Sequence, residues 1–466
     1  MKELVKPEKP GGFQDMLPED FLAREWLMSK IQSIFRSFGY DPIETPVIEF
    51  TRVLSGEDET SKNIFFVSTN SQSQKEALAM RFDHTVPFAR LLAAYPYNRK
   101  KKTGIRLPWR RMVLGPVFRA DPPQEGRYRQ FYQCDIDVAG TESMLADAEI
   151  VFIIYKVMCT LVDDDFVIRL NNRKILNGLI SLLNIQGNLN VSVDDLTREI
   201  MRTLDKLEKV GEQEVFELLR RQPDNEFDPA PNLDEDSLEI IKRFLTLNST
   251  DSNKLEQCRQ ILFTEEGLGQ QGIDELKMIQ GYLEKLGVPS DKVVIDFSIA
   301  RGLDYYTGPV METTILSRPQ LGSVFSGGRY DDLINRFTGQ KLPAVGASIG
   351  VDRLFHILKQ LNLLPENRTT VTDVMILNLS DKCLTSYLDL SRQLRQIGLN
   401  VEMCLVEDQT FQSQFNFAVS RGAKFVIIFG EDELLENVAQ IKNLVDRSQL
   451  SVPYDNIVDF FENSIK

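Results

Sequence analysis

Two strand-like segments joined by a polar loop give this 466-residue chain its framework. Val113–Arg119 is apolar enough for a buried strand, and Gln130–Val138 alternates with the period of two that a strand requires. Residues 121–129 have the composition of a loop, so the second strand is expected to return beside the first. One face of the returning strand carries an aromatic ring, an amide and two carboxylates, contributed by Phe131, Gln133, Asp135 and Asp137. Because buried polar groups need partners, this face predicts a bound polar ligand.

A second candidate ligand-binding segment is Ile299–Glu312, which follows a predicted strand at Lys292–Ser298. It combines Arg301 with the adjacent phenols of Tyr305 and Tyr306 and with glycines that let the backbone turn tightly. A guanidinium suits a phosphate or carboxylate, and paired tyrosines suit a small aromatic or amphipathic ring. Because the alternation then resumes, a hairpin with half-buried core tyrosines is an equally good interpretation.

Two further turns place polar groups at predicted helix starts. A short strand ends at Asp83, and the helix that follows has Pro87 in its first turn. Asp83 and Thr85 either cap that helix, or Asp83 receives an ammonium group in a pocket. Gly346–Leu354 passes from strand to helix at Gly350, which predicts an anion site at the helix start.

Charge and composition limit the classes of function. The formal net charge of −14 argues against a general nucleic-acid-binding surface. Residues 99–111, with seven cationic residues and no acid, are either a phosphate-facing patch or a solvated loop. Five scattered cysteines and two histidines indicate reduced thiols and no protein-bound metal. No apolar run approaches the about 18 residues of a membrane span, and the N-terminus lacks a signal-peptide pattern. We therefore expect a cytoplasmic protein that contacts neither membrane nor DNA.

The chain is predicted to divide into a core, an insertion and a C-terminal domain. The core comprises 1–164 and 291–364, and the mostly helical residues 165–290 predict an inserted domain. Residues 365–372 are a polar linker, and 373–466 alternate strands and helices as a small, mostly parallel α/β domain would.

The core is predicted to begin with an amphipathic helix. Leu27, Ile31 and Phe35 keep its spacing, Asp20 is a candidate cap, and Gly39 is a candidate end. With the proline-bearing extended segment that follows, this helix is either a dimerisation unit or ordinary core.

Together these segments resemble the histidyl-tRNA synthetases, a class II aminoacyl-tRNA synthetase family. Gly11–Glu49 resembles motif 1, Val117–Gly140 motif 2 and Gly346–Leu354 motif 3, while Arg301–Tyr306 and Ser326–Tyr330 resemble the two histidine-specific signatures. The resemblance implies an α+β fold: an antiparallel sheet flanked by helices, a helical insertion and a C-terminal α/β domain like an anticodon-binding domain. It also implies a homodimer formed through motif 1.

The resemblance further implies which residues bind each substrate. Arg119 would hold the α-phosphate of ATP, Phe131 and Arg353 would cover the two faces of adenine, and Asp121 would lie near the nucleotide, which Mg²⁺ accompanies. Histidine would be bound by a polar and aromatic set: Asp83, His84 through its backbone, Thr85, Arg119, Gln133, Asp137, Arg301, Tyr305 and Tyr306. Arg301, with Arg119 and Gln133, would be catalytic, because it stabilises charge as the carboxylate attacks the α-phosphorus.

The implied contacts with tRNA are Gln124 and Arg127 at the acceptor end. Glu407–Phe415 lacks the lysine cluster usual there, and the C-terminal domain has more acidic than basic residues. Recognition would therefore depend on the acceptor end, and on residues 99–111, more than on the anticodon.

The main expectation is activation of L-histidine with ATP, release of pyrophosphate and transfer of histidine to the 3′ end of tRNA(His). One alternative is a catalytically silent regulatory subunit that senses histidine or tRNA, and another is a ligase that forms adenylates without tRNA. Silent relatives typically lose part of the ATP-binding arginine set, whereas Arg119, Arg301 and Arg353 are all present here.

Overall fold

The computed structural model describes residues 4–55, 63–68, 76–123, 126–185, 190–247, 253–262, 267–299, 305–365, 368–408 and 410–465. These residues form two compact units. The first comprises the described parts of Met1–Gln14 and Leu27–Leu363, and the second those of Asp15–Trp26 and Leu364–Lys466. No helix in the described part of the chain has both the length and the apolar character needed to cross a membrane.

The strands of the first unit are β1 (Asp41–Pro42), β2 (Ile48–Phe50), β3 (Phe66–Val67), β4 (Leu78–Met80), β5 (Trp109–Phe118), β6 (Gln130–Ala139), β7 (Phe166–Asn172), β8 (Val293–Ile295), β9 (Pro309–Ile315), β10 (Phe325–Arg329) and β11 (Ala344–Gly350). The helices up to Leu363 are α1 (Pro18–Ser37), α2 (Thr51–Leu54), α3 (Thr85–Ala94), α4 (Met144–Val162), α5 (Arg173–Ser181), α6 (Val193–Leu204), α7 (Leu207–Val210), α8 (Glu212–Arg220), α9 (Glu235–Thr246), α10 (Lys254–Ile261), α11 (Leu268–Lys285), α12 (Asn335–Thr338) and α13 (Val351–Gln360).

An eight-stranded sheet dominates this unit, in the order β1-β5-β6-β11-β10-β9-β7-β8. Its interior pairs are antiparallel, and its two outermost pairs, β1–β5 and β7–β8, are parallel. The antiparallel sheet flanked by helices that was expected is thus confirmed, with a parallel strand added at each edge. A small sheet, β2-β4-β3, lies apart from it.

Helix α4 supplies much of the core behind the sheet. Its Ile150, Ile154 and Val157 are fully buried. The helix begins at Met144 and is capped by Ser143, whose hydroxyl accepts a hydrogen bond from the Leu145 amide. The Thr141 hydroxyl accepts a hydrogen bond from the Ser143 amide, so it stabilises the turn just before the helix.

The helices expected in residues 165–290 begin only at Arg173. Residues 166–172 are strand β7, which pairs with β9 and β8 inside the large sheet. Helix α11 packs on α4 and α5, and a Cβ at Gly178 would lie 2.8 Å from the Gly269 Cα, so α5 and α11 meet where side chains are absent. A short buried apolar strand cannot be distinguished from a helical segment by periodicity alone.

Helix α1 forms at the start of the core, where an amphipathic helix was predicted. Leu27, Ile31 and Phe35 on α1 are fully buried, and Gly39 adopts φ +79° just after the helix. Asp20 lies inside the first turn and does not precede the helix, because α1 begins at Pro18.

The second unit contains β12 (Val374–Ile376), β13 (Val401–Met403), β14 (Phe425–Ile428), β15 (Val438–Asn443) and β16 (Gln449–Pro453), with α14 (Leu384–Gln396), α15 (Phe411–Arg421), α16 (Glu431–Leu435) and α17 (Ile457–Ile465). Strands β13, β12 and β14 are parallel neighbours. The antiparallel pairs β14–β15 and β15–β16 extend this sheet, so the sheet is mixed and not mostly parallel as expected.

Candidate active site

Two adjoining cavities open on one face of the large sheet. The smaller, of about 210 Å³, and the larger, of about 850 Å³, share four lining residues: Arg119, Gln133, Ser326 and Ser348. The shared face follows from strand register. Gln133, Asp135 and Asp137 on β6 lie opposite Gly350, Ser348 and Gly346 on β11, so the polar face of β6 identified from its alternation borders both cavities.

The smaller cavity gathers positive charge around an aromatic ring. Arg119, Arg127 and Arg353 line it together with Phe131 and Asp121. The Arg119 guanidinium lies 4.3 Å from the Phe82 ring centroid and 5.2 Å from that of Phe131, a geometry that holds it by cation–π attraction. The cavity therefore suits an anion attached to a flat, aromatic group.

The β11–α13 turn orients the far wall of this cavity. Strand β11 ends at Gly350 and α13 begins at the next residue, as the sequence predicted. Asp352 accepts a hydrogen bond of 2.6 Å from the Tyr132 amide, and the Arg353 Nη1 donates one of 2.7 Å to the Ser323 carbonyl. The first bond holds the first turn of α13 against β6, and the second holds it against the segment before β10.

The larger cavity holds most of the predicted amino-acid site. Asp83, Thr85, Gln133, Asp137, Tyr305 and Tyr306 line it, together with Arg119. Asp83 accepts a hydrogen bond of 3.2 Å from the Val86 amide at the start of α3. Asp83 therefore stabilises the start of α3 and also lines the cavity. The sequence had left helix capping and binding of an ammonium group in a pocket as alternatives.

The two tyrosines form one wall of this cavity. Their ring centroids are 4.4 Å apart, and the Tyr305 hydroxyl lies 3.3 Å from that of Tyr306. Burial raises the pKa of Tyr305 to about 12 and that of Tyr306 well above its usual value, so both hydroxyls keep their protons as hydrogen-bond donors. A Cβ at Gly328 would lie 2.8 Å from the Tyr306 ring, so this glycine makes room for it.

Asp137 is the most firmly held carboxylate of the cavity. It forms a 2.6 Å ion pair with Arg111, whose side chain is fully buried, and it accepts a hydrogen bond from the Tyr330 hydroxyl. The Arg111 guanidinium also lies 4.3 Å from the Phe88 ring centroid. Burial raises the pKa of Asp137, and Arg111 and Tyr330 oppose that rise. A Cβ at Gly346 would overlap the Asp137 carboxylate.

Sequence reasoning missed Arg111 as part of the site, and it named Tyr330 only as the end of a histidine-specific signature. Arg111 was read as one of the cations of the 99–111 run, but the β5–β6 register sets it directly opposite Asp137. Arg110 also turns inward, onto Glu149 at 2.7 and 3.0 Å. The exposed part of the run is therefore Arg99–Lys102 with Arg106.

His84 lies behind the cavity wall. Its side chain is buried, and Nε2 lies 3.2 Å from the Gly115 carbonyl oxygen. Burial and the neighbouring Arg81 lower its pKa to about 3, so the ring is neutral. This placement is consistent with the expectation that His84 contributes through its backbone.

Two predicted residues, Arg301 and Gln124, lie outside the described residues. Of the described candidates, Arg119, Asp121, Arg127, Phe131 and Arg353 come together in the smaller cavity, and the remainder, apart from His84, in the larger one. In the part of the chain that the structure describes, no three His, Cys, Asp or Glu side chains converge as metal ligands would.

An antiparallel sheet that carries an arginine-lined cavity beside a polar and aromatic one is the arrangement of a class II aminoacyl-tRNA synthetase. Comparison with known families specifies the class. The family model "Histidyl-tRNA synthetase" matches residues 12–354, and "Anticodon binding domain" matches residues 373–464. The chain belongs to the histidyl-tRNA synthetase family, whose members are aminoacyl-tRNA ligases.

Individual relatives are similar to this chain over nearly its whole length. The chain is 34% identical over 468 residues to a protein named histidine–tRNA ligase from Clostridium tetani, covering 99% of this chain and 100% of the relative. It is 35% identical over 472 residues to the one from Xylella fastidiosa, with 97% of each covered. The crystal structure of histidyl-tRNA synthetase from Nostoc sp. PCC 7120 superposes with a TM-score of 0.80 at 32% identity, covering 99% of this chain and 100% of that one.

Proposed function

We propose that this protein is a histidine–tRNA ligase: it activates L-histidine with ATP to histidyl-adenylate, releases pyrophosphate, and transfers histidine to the 3′ end of tRNA(His). The observation that carries the proposal is the junction of the two cavities at Arg119 and Gln133, which line both. A carboxylate from the larger cavity and a phosphate from the smaller one would meet there. In-line displacement at phosphorus depends on this positioning and on cationic stabilisation.

ATP occupies the smaller cavity in this proposal. Phe131 stacks on adenine, Arg353 covers its other face and reaches the γ-phosphate, and Arg119 binds the α-phosphate. Mg²⁺ enters with ATP, since phosphate oxygens and a few carboxylates are its usual ligands. Asp121 and Asp352 line the same cavity and are the carboxylates that fit this role.

Histidine occupies the larger cavity. Asp83 and Thr85 surround the ammonium group with the backbone of His84, and Gln133 and Asp137 complete the polar cage. Tyr305 and Tyr306, which keep their hydroxyl protons, contact the imidazole. Arg301 is the electrophilic catalyst, an assignment that rests on the Arg301–Tyr306 signature in the sequence.

The acceptor end of tRNA is proposed to approach the cavities from the loop between β5 and β6. Arg127 on this loop lines the smaller cavity, and we assign Gln124 the same role from the sequence. The exposed cations Arg99–Lys102 supply further phosphate contacts, whereas the second unit has an excess of acids. The proposal includes a homodimer formed through Gly11–Glu49 and a cytoplasmic location.

Charging of a tRNA(His) transcript with labelled histidine tests the proposal. Wild-type protein is expected to form histidyl-tRNA. Arg119→Gln should abolish charging, while Arg220→Gln, which removes an exposed guanidinium paired with Glu235, should leave it intact. Histidine binding without adenylate formation would indicate the silent regulatory subunit, and adenylate formation without charging would indicate a ligase independent of tRNA. Either result contradicts the proposal.

A further inference from the structure

Asp135 is a buried carboxylate that the roles above leave unused. It lies on β6 between Gln133 and Asp137, it is 3% exposed, and it lines the larger cavity. Among the described residues, its Oδ1 has no hydrogen-bond partner, and neither has Oε1 of Gln133. Buried polar atoms without partners are rare in native proteins, and two of them on one cavity wall indicate that a ligand supplies the missing donors.

The neighbouring carboxylates differ from Asp135 because each already forms an ion pair or accepts a hydrogen bond within the protein. Asp137 is held by Arg111 and Tyr330, and Asp83 accepts the Val86 amide. Asp137 and Arg111 together form a neutral pair. Of the carboxylates that line this cavity, Asp135 is therefore the one that combines a buried oxygen without a hydrogen-bond partner and the lack of an ion pair among the described residues.

The spacing of the two acceptors points to a small cationic donor. Gln133 and Asp135 are two residues apart on one strand face, where their side chains project in the same direction at a separation of about 7 Å. One small group between them can donate to both. An ammonium group carries three N–H donors and a full positive charge, which suits one amide oxygen, one carboxylate and a third acceptor such as Thr85.

We propose that Asp135, together with Gln133, binds the α-ammonium group of the amino-acid substrate. The inference rests on the proposed function, because it requires that histidine occupies the larger cavity. It assigns the ammonium a carboxylate beyond Asp83, and it leaves Asp137 to the imidazole end of the cavity, near Tyr306 and Tyr330.

If Asp135 binds the ammonium group, its protonation state should change when the substrate binds. Burial raises the pKa of Asp135 to about 7, against the opposing effects of Arg111 and of the Ser348 hydroxyl opposite it on β11. An ammonium bound at Oδ1 favours the ionised form, so substrate binding near neutral pH should release a proton. The charged and titratable groups that face Asp135 are Arg111 on β5, Asp137 on β6, Asp83 and Arg81 before α3, and Tyr305 before β9.

Two inhibitors that each lack one charged group of histidine distinguish ammonium binding from a structural role. Histidinol keeps the ammonium of histidine, and imidazole-propionate lacks it. In Asp135→Asn we expect the inhibition constant of histidinol and the KM of histidine to rise about tenfold to hundredfold, the range for losing a charged hydrogen bond. The inhibition constant of imidazole-propionate and the KM of ATP should change less than about threefold.

Other results contradict the inference. Equal weakening of both inhibitors would make Asp135 a structural residue, and weakening of imidazole-propionate alone would place Asp135 at the imidazole. If wild-type protein fails to bind histidine, the proposed function fails instead.

A second measurement needs no variant and so does not depend on Asp135→Asn folding. Calorimetry of histidinol and imidazole-propionate binding to wild-type protein, in buffers of different ionisation enthalpy near pH 7, measures the protons released. After correction for the protons exchanged by each ligand's own imidazole, histidinol should release more protons than imidazole-propionate, because only histidinol brings a cation to Asp135. Equal proton release for the two ligands overturns the inference.

Discussion

We expect Arg329→Met to destabilise the first unit through one buried ion pair. Arg329 on β10 is paired with Asp147 on α4 through Nη2 and, at 3.2 Å, through Nε; the two side chains are 4% and 0% exposed. Arg329 also donates to the carbonyl oxygens of Thr141 at 2.9 Å and Ser143 at 3.4 Å. Methionine keeps much of the side-chain volume but supplies none of these donors.

The size of the effect follows from what remains after the substitution. Removing one partner of a buried ion pair typically costs about 3–5 kcal/mol, because the other charge stays buried without compensation. Asp147 can reduce this cost by taking up a proton. Burial already raises its pKa to about 6 while Arg329 opposes the rise, so without Arg329 the pKa should increase further.

This coupling fixes the sign of the pH dependence. The native state binds the Asp147 proton more tightly than the unfolded state, in which the pKa is about 3.9. The contribution of Asp147 to the free energy of unfolding is therefore highest below about pH 4 and falls as the pH rises through the native pKa. In wild-type protein this fall ends near pH 6. In Arg329→Met it should continue above pH 6, by about 1.4 kcal/mol for each unit of further increase in the pKa.

The assay is urea unfolding followed through Trp109, which donates to Asp41 at 2.8 Å in the first unit. Because the chain has two tryptophans, a Trp26→Phe background makes the signal specific to Trp109. Arg329→Met combined with Asp147→Leu should recover much of the loss, and Arg220→Met, at an exposed pair, should change little. A loss below about 1 kcal/mol that is independent of pH would refute this reasoning.

Three further predictions concern the site. Arg301→Ala should abolish adenylate formation while calorimetry still detects histidine binding; equal loss of both would contradict a purely electrostatic role. Tyr306→Phe should weaken discrimination for histidine over other amino acids in pyrophosphate exchange if its hydroxyl touches the imidazole, and unchanged selectivity would return this tyrosine to core packing. Gly346→Ala should raise the KM of histidine about tenfold or more, because the added Cβ overlaps the Asp137 carboxylate; Gly281→Ala, where a Cβ meets nothing within 4 Å, is the control and should leave that KM unchanged.

Features set by local pattern could be predicted from the sequence. The alternation along 130–138 identified the polar face of β6, and the structure places Gln133, Asp135 and Asp137 on a cavity wall. The strand-to-helix turn at Gly350 was also predicted to the residue. In both cases the information lies within a few residues, since side-chain direction follows directly from the backbone period.

Features set by pairing between distant segments could not be predicted. The composition of 99–111 suggested a solvent-facing patch, yet Arg111 is fully buried because strand register brings it opposite Asp137. Register depends on the whole hairpin and its neighbours, not on the charge of one segment. Residues 166–172 were assigned to a helical insertion for a similar reason: a short apolar run fits a buried strand as well as a helix.

The most direct test of the account is ATP–pyrophosphate exchange with each of the twenty amino acids, without and then with tRNA. The account predicts exchange driven by histidine, without any need for tRNA, and lost in Arg119→Gln. Exchange driven by another amino acid, or no exchange with histidine although histidine binds, would contradict it.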